Sequence, residues 1–252
     1  MELKKVVSFS LYGNKAIYLK GMERNITLIQ QLLPGFLCRI YHDATVPLDM
    51  LNSYRQFPIV ELVNMQESLL PKMTWRFLPA DDSSVQLFIS RDADSRISLR
   101  EKILIDSWVV SNKTFFLIKD HPFYHRTPLM LGGLWGMRLN GKTFGMQQLI
   151  VQWQQEHMNK ALDTYNLDQE FLDKMIYPVA EKDMLYFDDF NLNKLHFCKP
   201  VNLRRNKYEY IGEVFNEYNQ RAPHYKDLRN YYVAKWPLIG KLMLSILFKF
   251  KL

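Results

Sequence analysis

Two carboxylates spaced i, i+2 stand at the end of a short apolar run: Val85-Gln-Leu-Phe-Ile-Ser90 leads into Arg91-Asp92-Ala93-Asp94-Ser95-Arg96. The run has the length of a buried strand. In an open α/β sheet, ligands sit in the crevice beyond the carboxyl ends of the strands. An acidic pair there can hold a divalent cation against phosphate oxygens, because Mg²⁺-type ions are shared between one or two carboxylates and the phosphates. Arg91 and Arg96 are expected to keep both carboxylates ionised and are also placed to meet phosphate. The same residues would equally make an acidic turn, with an aspartate or Ser95 capping nearby backbone donors.

Other segments offer chemistry of their own, each with a plainer alternative. Asp120-His-Pro-Phe-Tyr-His125 runs on to Leu131-Gly-Gly-Leu-Trp-Gly136. Gly132, Gly133 and Gly136 would let a ligand approach the backbone closely, and Trp135 offers an apolar face for a sugar; a glycine turn with a core tryptophan fits as well. Asp168, followed by Gln169, opens an expected helix, where it could be no more than the N-cap. His196 precedes Arg204, Arg205 and Lys207, a cluster able to stabilise a departing diphosphate or to form a solvated face. In the last stretch, Trp236 to Leu252, Lys241, Ser245 and Lys249 form one polar stripe on an otherwise apolar wheel. That pattern suits an interfacial helix drawn to anionic lipid, and also a C-terminal helix lying on the core.

Elements able to position these residues follow from periodicity and punctuation. Strands are expected over Val6–Leu11, Phe36–Tyr41, Ile59–Val63, Val85–Ser90, Thr114–Lys119 and Met184–Phe187. Helices are expected over Tyr18–Leu33, Pro47–Tyr54, Lys72–Leu78, a capping-box helix from Ser98 to Val110, Gln147–Tyr165 and Phe171–Val179. Short strands alternating with helices predict an α/β fold, a mainly parallel sheet with helices on both faces. The 252 residues suffice for one full core. A net charge of +7 favours an anionic partner, yet no nucleic-acid-binding motif is present. Cys38 and Cys198 provide neither a disulfide framework nor a zinc pattern, and with no signal-peptide or membrane-span pattern the expectation is a cytoplasmic chain. The sequons at Asn25 and Asn112 then read as chance matches.

Taken together, the order of these motifs resembles bacterial and viral sugar transferases of the GT-A fold, distantly related to the family-eight galactosyltransferases that build lipopolysaccharide. It rests on Ile89–Arg96, the helix carrying Trp108, Asp120-His-Pro122, Leu131–Gly136, Asp168–Leu172 with Met175–Pro178, and a final His196, Arg204 and Arg205. The likeness runs from about residue 5 to 213, leaving 214–252 as a helical, basic-amphipathic tail. It implies a GT-A-type Rossmann-like sheet, a nucleotide-sugar donor, a divalent metal (Mn²⁺ or Mg²⁺) and transfer to a glycan or glycolipid acceptor of capsule or lipopolysaccharide type. Under it, Asp92 and Asp94 hold the metal with His196 as third ligand, though Phe187-Asp188 stands where the family pattern has His-Asp. Ser8, Ser10 and Tyr12 line the nucleotide pocket and Arg76 faces the donor. Asp168 and Gln169 act near the donor sugar and acceptor. The tail then places the enzyme on the inner face of the membrane. Two rivals are a phosphotransferase of the haloacid-dehalogenase kind, which also sets D-x-D after a buried strand but near the start of its core, and a non-catalytic basic module that docks on membranes.

Overall fold

The computed structural model describes residues 2–127, 129–157, 166–191 and 198–235. Seven strands form one sheet: β1 (Lys4–Leu11), β2 (Phe36–His42), β3 (Val60–Asn64), β4 (Val85–Arg91), β5 (Phe115–Lys119), β6 (Trp135–Arg138) and β7 (Met184–Asp188). Their order is β3-β2-β1-β4-β6-β5-β7. Only β6 runs against its neighbours, antiparallel to both β4 and β5. The fold is therefore α/β with a mixed, mainly parallel sheet, as the alternation of elements predicts.

Alternate residues of each strand feed two cores. Val7, Phe9, Ile40, Leu87, Ile89 and Phe116 meet α1 (Ala16–Leu32), α2 (Leu48–Arg55) and α3 (Leu99–Val109) on one face. Val6, Phe88, Leu117, Trp135 and Met137 meet the opposite layer. That layer is the 3₁₀ helix Lys72–Asp81, α4 (Met146–Glu156), α5 (Leu167–Phe171), the π turn Leu172–Ile176 and α6 (Tyr177–Ala180). A last helix, α7 (His224–Lys235), buries only Leu228.

Three differences from the sequence expectations have physical causes. Lys72–Asp81 is a 3₁₀ helix, and Ser10 Oγ, at the end of β1, accepts from the Arg76 N–H at 3.0 Å within it. The stretch read as a glycine turn contains strand β6, filling the gap between β4 and β5. Gly136 sits there because a Cβ would fall 2.6 Å from the Phe88 carbonyl oxygen and against Trp108. The helix expected from Phe171 begins at Leu167, and its N-cap is Asn166, not Asp168.

The chain moves outward from β1 through β2 to β3, then returns to the other side of β1 as β4. This reversal opens a crevice at the carboxyl ends of β1 and β4, the position where such sheets bind ligands.

Candidate active site

Ser10 and Tyr12 come at the end of β1, and Asp92 and Asp94 directly follow β4, so all four reach the same crevice. Arg76 is its hub. The guanidinium is 8% exposed and pairs through its two terminal nitrogens with Asp92 Oδ1 and Asp168 Oδ2. Asp92 keeps 47% of its side chain exposed, whereas Asp168 is fully buried. Among the described residues, Asp168 Oδ1 and Arg76 Nε have no hydrogen-bond partner. Desolvation pushes the Asp168 carboxyl above the usual carboxylate range, with Arg76 pulling against it.

The glycines belong to this cluster. A Cβ on Gly132 would lie 2.3 Å from Asp168 Oδ2 and 2.4 Å from an Arg76 nitrogen. One on Gly133 would lie 1.9 Å from Asp92 Oδ2. No side chain fits at either position. Ser90 Oγ donates to the Gly132 carbonyl at 2.6 Å and Arg91 to the Gly133 carbonyl at 3.0 Å, fixing this backbone against β4. The buried Arg91 (1% exposed) is ion-paired with Glu101, also buried, at 3.4 Å. Ser98, the N-cap of α3, accepts from the Glu101 N–H. Thus Arg91 underlies the crevice, and the sequence pattern held no sign of its pairing with Glu101 or of the role of Ser90.

The arginines do not keep Asp94 in the ordinary range. Burial first, and the neighbouring Asp92 charge second, raise its pKa to about 6 against the opposing pull of Arg76 and Arg96. Two carboxylates that repel each other, one of them half exposed, make the oxygen donor set that a Mg²⁺- or Mn²⁺-type ion takes when phosphate completes its shell. The donor set fits such an ion. Among the described residues no three His, Cys, Asp or Glu side chains cluster as ligands, and His196 lies outside the described residues.

The remaining expected residues are spread along the same sheet edge. Ser8 is fully buried within β1, its hydroxyl without a partner. Tyr12 stands edge-on to Trp75 of the 3₁₀ helix with Lys72 5.6 Å from its ring centre. Gln169 donates to Asn166 Oδ1 at 3.1 Å beside Asp168. Arg204 is exposed. Arg205 turns inward, pairing with Asp120 and Asp189 beyond β5 and β7. Arg100 joins the same two aspartates.

No family model matches the chain, and neither does any curated protein. Solved structures of similar fold include the following three. The mannosyltransferase PcManGT from Pyrobaculum calidifontis, in complex with GDP-Man and Mn²⁺, shares 12% identity at a TM-score of 0.44, over 68% of this chain and 51% of that one. A glycosyltransferase involved in glycosylation of the major capsid of PBCV-1 shares 11% at 0.43, over 75% and 82%. The 4-diphosphocytidyl-2C-methyl-D-erythritol synthase of Anaerococcus prevotii shares 6% at 0.43, over 73% and 85%. The chain thus spans about half the length of the mannosyltransferase. Likeness this distant leaves function to the geometry of the site.

Proposed function

We propose that the chain is a glycosyltransferase that moves a hexosyl unit from a nucleoside diphosphate sugar to a surface-glycan or glycolipid acceptor, in keeping with its resemblance to GT-A sugar transferases. One observation carries the reading. Asp92, Arg76 and Asp168 converge, with Asp94 beside them, on a Gly132-Gly133 backbone at the crevice between β1 and β4.

Asp92 and Asp94 would hold a divalent cation, which supplies Lewis-acid neutralisation of the diphosphate leaving group when bound. The protein's own groups do the rest. Arg76 orients Asp92 and Asp168 at once and, being buried and doubly paired, holds their charge in place before substrate arrives. Asp168 has a buried oxygen without a hydrogen-bond partner among the described residues, and would accept from a sugar hydroxyl or face an oxocarbenium-like centre once the donor is seated. Gln169 extends that role toward the acceptor. Gly132 and Gly133 let the Asp168, Arg76 and Asp92 side chains close in on the backbone, over the Arg91–Glu101 pair. Ser10 fastens Arg76 to β1, and Ser8 and Tyr12 belong to the strand and loop assigned to the nucleotide. Exposed Arg204 would add positive potential, Arg205 being already paired with Asp120 and Asp189, and His196 is the proposed third metal ligand. The stretch 236–252 is assigned to an anionic membrane surface on the cytoplasmic side, and nucleic acid is not a partner.

Thermal denaturation against UDP- and GDP-sugars, with and without Mn²⁺, tests this. A ligand that binds only the native state raises Tm, and for a chain of this size saturating donor should shift it by about 5 °C or more. The shift should need Mn²⁺ and disappear in Asp94→Ala with the fold intact. Full metal-dependent turnover in Asp94→Ala, or no shift with any sugar nucleotide, would overturn the assignment.

A further inference from the structure

The residue between the two aspartates is held more firmly than either of them. The Ala93 side chain is buried in the core shared with α1. Its carbonyl is turned to the same helix, where Gly21 leaves the space: a Cβ there would lie 2.0 Å from the Ala93 oxygen. One turn along, Asn25 is 1% exposed and all its hydrogen-bonding groups face this loop. Its amide donates to the Ala93 carbonyl at 3.3 Å and the Ser95 carbonyl at 2.8 Å, and its oxygen accepts from the Ile97 N–H at 3.3 Å. Arg96 donates to the same two carbonyls, at 3.3 and 3.0 Å.

The flanking carbonyls are engaged as well. That of Asp92 accepts from the Ser95 hydroxyl at 3.0 Å, and that of Asp94 from the Phe215 N–H at 2.9 Å. With the backbone oxygens of Asp92, Ala93, Asp94 and Ser95 all accepting protein hydrogen bonds, the carboxylates of residues 92 and 94 are what this loop can offer a cation. Residues 92–95 form a turn, the Ser95 N–H bonding back to the Asp92 carbonyl at 3.4 Å, so the two carboxylates leave one short bend whose middle residue, Ala93, is turned inward. Pinning Ala93 against α1 therefore sets the direction and separation of both carboxylates.

We propose that Asn25, with Gly21, is a positioning residue of the metal site: from α1 it fixes the Ala93 carbonyl and so holds Asp92 and Asp94 at the spacing a divalent cation needs. The inference rests on the assignment of these aspartates as metal ligands. It gives Asn25 a role that the sequence pattern, a chance sequon, does not suggest. Groups that orient metal-binding side chains are worth roughly 10–100-fold in affinity.

The test is Mn²⁺ binding by the full chain, with Mn²⁺ alone as the probe, followed by the loss of its free-ion electron paramagnetic resonance signal. Asn25→Ala should weaken binding about tenfold or more. Asn25→Ser, which keeps a donor in a smaller side chain, should fall between the two and serves if the alanine variant does not fold. Tyr54→Phe controls for stability: its hydroxyl donates to the Leu19 carbonyl on α1 at 2.8 Å, away from the acidic loop. That variant should lower Tm and leave Mn²⁺ affinity at the wild-type value. Wild-type affinity in the folded Asn25 variants, or an equal loss in Tyr54→Phe, overturns the positioning role while the metal assignment stands. Failure of the wild-type chain to bind Mn²⁺ at all overturns the assignment itself.

Discussion

At the scale of single residues, the site is a contest between burial and charge. Asp168 is fully buried and driven toward its neutral form, and one guanidinium shared with Asp92 holds it. Asp94 has no such ion pair among the described residues, and its raised pKa of about 6 records burial first and the repulsion of Asp92 second. A bound cation would relieve both. The glycines impose a steric condition on the same groups. In Gly133→Ala the new methyl would overlap Asp92 Oδ2, now 1.9 Å from the ideal Cβ position, so the carboxylate must turn away. Mn²⁺ affinity should drop by about 10–100-fold while the far-ultraviolet circular dichroism remains that of wild type; unchanged affinity would show that Asp92 is not a ligand. The Asp92–Asp94 pair was legible in the sequence because it is local. The Arg76–Asp168 pair was not, because its members are 92 positions apart.

Among the elements, the loop after β5 is the one whose stability pH should expose. His121 is 1% exposed, accepts from the Phe123 and Tyr124 N–H groups at Nδ1, and meets the His224 carbonyl of α7 at Nε2. Nδ1 must therefore be unprotonated, and burial lowers the pKa from 6.5 to about 4. With the folded value below the unfolded one, the stabilising contribution is complete above pH 6.5 and is lost as pH falls toward 4. Urea unfolding between pH 7.5 and 4.5 should show a loss on the order of 2 kcal/mol from this group. His121→Asn, which can still accept at the same place, should flatten the slope by about one proton. An identical slope in the variant would place the titration elsewhere. Strand β6 carries a different lesson: Gly136 read as part of a turn, but it is small because the strand lies against the Phe88 carbonyl of β4 and Trp108.

Across the whole molecule, the order of strands makes the crevice. Reversal between β3 and β4 brings the ends of β1 and β4 side by side, and α1 reaches over to seat the acidic loop. Segments after β7 are drawn in too: Asp120 and Asp189 gather Arg100 and Arg205, and Phe215 binds the Asp94 carbonyl. Among the described residues no helix is long and apolar enough to cross a membrane; the lipid contact is proposed for 236–252, which lies outside the described residues. Truncation after Lys235 should abolish sedimentation with anionic vesicles at low salt and leave Mn²⁺ binding unchanged. Equal co-sedimentation of the shortened chain would assign the contact to another surface.

Local chemistry was readable from the amino acids alone: strand β4 leading into two aspartates, the Ser98 cap of α3, and the α/β alternation that implies a sheet covered on both sides. Such signals need only neighbours along the chain. What tertiary structure decided was which distant groups share a small dry volume. Arg91 could have met phosphate, yet it lies under the crevice against Glu101; Arg205 could have faced the diphosphate, yet it is neutralised by Asp120 and Asp189. Asn25 read only as part of a chance sequon, and it is buried with its amide bonded to the Ala93 and Ser95 carbonyls. In each case the partner is set by burial, since a charged or polar group withdrawn from water must find its complement wherever the fold brings one.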